Sequence, residues 1–149
     1  MRFLALGVMA LLSAACAMQM DLPEGFLRLK AREVGDLRAV TADDARIWVR
    51  DFDVDEGASL DFWLQALRSE LEQARGYRLE PVAQEIVDAA GHKGRRLEGS
   101  IATGGEVRGY MIAVFPLGDR RLRTVEFAAR QELFAKHIEA VRKAATTVQ

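Results

Sequence analysis

The chain has 149 residues, with 21 basic and 22 acidic side chains for a formal charge of −1. That length suits one domain and leaves little room for a second. A near-neutral balance lacks the basic footprint of a nucleic-acid binder. One cysteine and two histidines build neither an internal disulfide nor a Cys/His zinc site.

Arg2 is the only charged residue before Asp21, and an apolar run of ten residues follows it from Phe3 to Leu12. As a helix such a run measures about 15 Å, half of the roughly 30 Å hydrocarbon core, so it is too short for a stable transmembrane helix. A positive residue, a short apolar stretch and then small residues make a secretory signal. Ser13-Ala14-Ala15-Cys16 resembles a bacterial lipobox, in which the cysteine is acylated and becomes the mature N-terminus. The thiolate takes the lipid, and small neighbours admit the peptidase. Ser13 stands where that pattern has an aliphatic residue. The expectation is a signal peptide over 1–15, lipid attachment at Cys16 and a membrane anchor through that lipid. Ala17, not Asp, follows the cysteine, which in a Gram-negative cell reads as an outer-membrane address facing the periplasm. Two alternatives stay open. Ala15-Cys16-Ala17 is also an A-x-A site, whose cleavage would release a soluble periplasmic protein starting at Met18, and an uncleaved segment would be a weak anchor.

Residues 16–25, ending Leu22-Pro-Glu-Gly25, read as a tether with turn signals. One domain over 26–148 follows. Phe26–Arg32 alternates apolar and basic residues as a half-buried strand does. Leu37–Val40 and Ala45–Val54 are the next two strands. Ser59 caps a helix whose apolar face is Leu60, Trp63, Leu64, Leu67 and Leu71, with Asp61 in its first turn and Gly76 at its end. Tyr77–Val82 and Gln84–Ala89 read as two strands or as one bent around Pro81. Gly94–Ala102, Val107–Phe115 and Arg121–Ala128 complete a meander with glycine turns between the runs. Tyr110–Phe115 is apolar on both faces, which predicts a central, doubly covered strand. A last helix over 130–146 buries Phe134, Ile138, Val141 and Ala145, with Glu132–Lys136 and Glu139–Lys143 as i,i+4 pairs.

The order β-β-β-α-β-β-β-β-α predicts an α+β fold: an antiparallel sheet flanked by one internal and one C-terminal helix. The strand before Phe62-Trp63, the Gly91–Gly94 hairpin, Tyr110–Phe115, Val125-Glu126-Phe127 and the helix with Phe134 and Ile138 together resemble the PsbP/DcrB-like fold over residues 26–148. The resemblance implies a non-enzymatic binding or assembly module at a membrane surface. Many bacterial members of that family are small exported lipoproteins, and the family brings no shared catalytic residues.

Few residues suggest chemistry. Asp51, Asp53 and Asp55 before Glu56-Gly57 resemble the start of a Ca²⁺ loop. Position six is Glu56 where glycine is needed, and position twelve is Phe62 where a bidentate Glu is needed. The plainer reading is a strand end with its acids in water and Phe52 and Val54 facing the core. His92, in a glycine turn, is expected to be exposed, and His137 to lie beside the apolar stripe. Ser59, Ser69 and Ser100 carry no sign of a nucleophile paired with a base. Arg95, Arg96, Arg120, Arg121 and Arg123 form either a basic patch or, with Glu98, Glu106 and Asp119 among them, a mixed solvated face. Trp48 and Trp63 either line a pocket or fill the space between helix and sheet. No catalytic residue, metal or cofactor is expected. The partners expected are the membrane and another protein; the alternative is a soluble periplasmic carrier of a small ligand.

Overall fold

The computed structural model describes residues 17–33, 35–55 and 57–149. The leader, Cys16 and Glu56 lie outside the described residues. The elements are β1 (Leu27–Arg28), β2 (Leu37–Val40), β3 (Arg46–Asp53), α1 (Leu60–Ser69), β4 (Arg78–Leu79), β5 (Gln84–Val87), β6 (Lys93–Thr103), β7 (Glu106–Pro116), β8 (Arg121–Arg130) and α2 (Gln131–Ala145). They form one antiparallel sheet in the order β1-β2-β3-β8-β7-β6, with β4 and β5 both on the outer edge of β6. The predicted α+β class and helix placement hold. Five strands, not four, follow α1. The stretch around Pro81 is two short strands sharing one neighbour, because proline has no N–H to continue a ladder.

Strand alternation sorts the sheet into two faces. On one, Ile47, Val49, Met111, Ala113, Phe115, Val125, Phe127 and Ala129 meet α2. Phe134, Ile138, Val141 and Ala145 are buried there, at the three- and four-residue spacing read from the sequence. Gly109 makes the close approach possible: a Cβ on it would lie 2.2 Å from Phe134 Cγ. With that room, Phe134 stacks on Phe127 at 5.2 Å between ring centroids. On the other face, Leu97, Tyr110, Ile112, Val114 and Leu122 meet Leu64 and Leu71 of α1. Tyr110–Phe115 is thus central and covered on both sides. Ser59 Oγ accepts from Phe62 N at 3.2 Å and caps α1. The helix widens over Glu70–Ala74 and stops at Gly76, which is at φ +76.

Two N-terminal expectations are corrected. The tether is part of the domain from Met18 onward. Met18 and Met20 are 4% and 8% exposed and belong to the α2-side core. Gln19 exchanges backbone hydrogen bonds with Gln149. The first strand is only two residues long, and its one apolar residue faces water, with Leu27 73% exposed. Phe26, just before it, is the residue that turns inward, edge-on to Phe127 and His137. An edge strand has no second neighbour to bury its alternating side chains.

Candidate functional site

α1 covers only part of its sheet face. The strip of β3 and β8 beside it carries the half-buried Trp48 and Arg50 and the exposed Phe52. Between helix and strip runs a groove of about 410 Å³. Its walls come from positions one helical turn apart on α1 (Trp63, Ala66, Leu67) and from the side chains of β3, β7 and β8 that share this face (Phe52, Val114, Leu122, Thr124). Asp53 and Glu70 supply its charge. The lining is otherwise almost wholly carbon.

One end of the strip is held by stacked charge. The Arg50 guanidinium lies 3.6 Å from the Trp48 ring centroid and 4.7 Å from that of Phe52. Its Nη2 donates to Glu126 Oε1 at 2.6 Å, and Tyr110 Oη donates to Glu126 Oε2 at 3.3 Å. Burial first, and then the Glu126 charge, push the Tyr110 phenol well above the ordinary tyrosine range. Three polar atoms here are buried and have no hydrogen-bond partner among the described residues: Trp63 Nε1, Thr124 Oγ1 and Arg50 Nε. Thr124 is 7% exposed, and Arg50 stands opposite it in the β3–β8 register. Trp63 and Thr124 are in the groove wall itself. A buried polar atom left unmatched costs about 1–3 kcal/mol.

The sequence-predicted residues fall elsewhere. The lipid-attachment reading of Cys16 lies outside the described residues. Asp51 and Asp53 do not converge on an ion. Asp51 takes the Arg123 guanidinium at 2.8 and 3.0 Å, and Asp53 lies 3.9 Å from Arg121 across the same strand pair. Among the described residues no group of three or more His, Cys, Asp or Glu is placed to hold a metal. These contacts also divide the arginine patch into ion pairs, with Arg95 near Glu85 and Arg96 on Glu98. His92 is only half-exposed. Its Nδ1 lies 2.7 Å from Oδ2 of Asp88, a buried residue whose Oδ1 accepts from the backbone N–H of Ala90 and His92. His137 packs edge-on to Phe26 at 5.3 Å, with Nε2 buried and without a hydrogen-bond partner among the described residues. Ser59 is a helix cap, Ser69 ends α1 and Ser100 lies on β6.

The two tryptophans part company. Trp63 packs on the α1-side core and lines the groove. Trp48 is no core piece: it lies under Arg50, and its Nε1 donates to Asp36 Oδ2 at 3.2 Å. Phe52, expected to face the core, is 39% exposed on the groove. It shares its face with Trp48 and Arg50 because they are two residues apart on one strand. That alternation is written in the sequence. The place where α1 stops covering the sheet is not.

No protein-family model matches the chain, and comparison with curated proteins finds no match. Several solved structures are similar in fold. LpqN of Mycobacterium tuberculosis, involved in cell envelope biogenesis, superposes with a TM-score of 0.71 at 15% identity, covering 89% of this chain and 83% of LpqN. The cyanobacterial PsbP (CyanoP) of Synechocystis gives 0.58 at 14% identity, covering 97% of this chain and 98% of that one. PA94 of Pseudomonas aeruginosa gives 0.59 at 14% identity, with 88% and 95% covered. With its antiparallel sheet, one internal helix and one C-terminal helix in the same order, the chain has the PsbP-like fold.

Proposed function

We propose that the chain is a non-enzymatic, membrane-anchored lipoprotein of the cell envelope, held at the outer membrane facing the periplasm, whose groove beside α1 binds an apolar segment of a protein partner. The observation that carries the binding role is the pairing of a carbon-lined groove with the buried, unmatched Trp63 Nε1 and Thr124 Oγ1 in its wall. A peptide segment offers both complements, apolar side chains and backbone carbonyl acceptors. LpqN, which shares the fold, is involved in cell envelope biogenesis, and that supports the location.

The start of the fold favours processing at Cys16 over release at Met18. Cleavage after Ala17 would put an α-ammonium on Met18, a buried residue whose carbonyl already accepts from Arg28 Nη2 at 2.9 Å. Burying that charge beside a guanidinium is costly. Cleavage before Cys16 keeps the Met18 nitrogen in a peptide bond, so no charge arises at that buried residue.

Metabolic labelling with an alkynyl fatty acid tests the anchor. The expected result is label on the wild type and none on Cys16→Ser; an unlabelled wild type refutes it. A photo-crosslinking residue at Ala66 tests the groove in intact envelopes. A discrete protein adduct that disappears with Phe52→Ala is expected, and no adduct refutes the role. The groove's volume is also within the range of small-molecule sites, so the carrier reading has its own test. A small molecule retained reproducibly in native mass spectrometry would favour it.

A further inference from the structure

The chain enters and leaves the fold at one place. Gln19 N donates to Gln149 O at 3.2 Å, and Gln149 N donates to Gln19 O at 3.0 Å. Asp21 N donates to Thr147 Oγ1 at 2.9 Å. Val148, fully buried, accepts from Ala89 N at 3.4 Å, which joins the β5–β6 turn to the same spot. That turn is braced from within by the three Asp88–Ala90 and Asp88–His92 contacts described above. Its tip, Ala89-Ala90-Gly91, is exposed. The end of the sheet next to this turn therefore carries the start of the fold, residues 147–149 and a rigid turn with small residues at its tip.

Met18 is buried two residues after Cys16. Two residues of extended chain reach at most about 7 Å. A lipid on Cys16 would leave the domain almost no leash.

We propose that the domain sits directly on the lipid surface, with the 88–92 turn and residues 146–149 against the headgroups and the β6–β7 turn pointing away; this rests on the reading of Cys16 as the lipidated residue. The seating also puts the groove near the membrane. Its floor residue Val114 is paired with Arg95, only two residues along β6 from Lys93, where the strand leaves the turn. At about 3.3 Å per residue that is roughly 7 Å from the seated end. The far end of β6, Thr103, is roughly 33 Å away on the same measure. The segment held in the groove would then be one that lies at the membrane surface.

The test uses the full chain, processed in an envelope and reconstituted in vesicles of phosphatidylethanolamine and phosphatidylglycerol. Intact mass reports the lipid on Cys16. Because that sulfur is then a thioether, a second cysteine takes a spin label alone. Ala90→Cys and Thr103→Cys place the label at the two ends, and a nickel-chelating lipid in the vesicle relaxes whichever is near the headgroups. The expected result is several-fold stronger relaxation at 90 than at 103, with the contrast abolished by a flexible Gly-Ser insert after Ala17. Equal relaxation at both positions in a chain whose mass shows the lipid overturns the seating and leaves the anchor standing. A mass without lipid overturns the anchor and the seating together.

Discussion

Arg142 on α2 and Glu98 on β6 grip each other with two parallel hydrogen bonds, Nε to Oε1 at 2.8 Å and Nη2 to Oε2 at 2.5 Å. Glu98 is buried and also has Arg96 Nε 2.7 Å away, while Arg142 pairs with Glu139 as well. This joins the last helix to a strand 44 residues earlier. Removing one partner of a buried pair leaves the other charge uncompensated. Arg142→Ala is expected to lower stability in urea by about 2–3 kcal/mol, less than the usual roughly 3–5 kcal/mol because Arg96 remains. The double variant Glu98→Leu, Arg142→Leu is expected to recover only part of it, because it leaves the largely buried Arg96 without its carboxylate. A single-variant loss below about 0.5 kcal/mol would show the pair to behave as a solvated surface bridge.

Gly109 is required by Phe134, not by its backbone angles. Gly109→Ala is expected to cost about 2 kcal/mol through overpacking. Adding Phe134→Leu should return part of that loss in a double-mutant cycle. Strictly additive effects would break the link between the two residues.

Burial holds the Tyr110 phenol neutral well above its ordinary value of 10. A raised acid pKa means that the unfolded chain releases its proton first, so this contribution is fully present below about pH 10 and declines as pH rises beyond that. The expected outcome is a steepening loss of stability above about pH 10, absent in Tyr110→Phe. Phenolate absorbance from Tyr110 should appear only with unfolding; if it appears in the folded chain near pH 10, the ring is not sealed.

Asp43 is held below the usual carboxylate range chiefly by the Thr41 hydroxyl, whose Oγ1 donates to Oδ1 at 2.5 Å. A depressed pKa contributes stability at neutral pH that is lost as pH falls through the folded value. In Thr41→Val the Asp43 carboxyl is expected to titrate higher by NMR. An unchanged titration would exclude the hydroxyl as the cause.

Met18 and Met20 make the N-terminal segment structural. A chain trimmed to begin at Phe26 is expected to lose about 3 kcal/mol or more, from two buried methionine side chains at about 1.5–3 kcal/mol each. An unchanged urea midpoint would return residues 18–25 to the role of a tether.

Periodicity and turn chemistry decided much of this protein without tertiary information. The α1 face from Leu60 to Leu71, the Ser59 cap, the Gly76 stop, the doubly apolar Tyr110–Phe115 strand and the α2 stripe all follow from local spacing, and so does the α+β class. Local patterns fail where burial depends on a distant neighbour. Met18 and Met20 look like tether residues until Gln149 returns to pair with the chain beside them. Leu27 and Leu29 look half-buried until β1 proves to be an edge. Asp51 and Asp53 look like acids facing only water until Arg123 and Arg121 arrive opposite them on β8. The groove depends on how far α1 extends across the sheet, and Thr124 and Trp63 meet there from segments some sixty residues apart. A side chain's own repeat tells which face it takes; what covers that face is settled only when the strands have found their order.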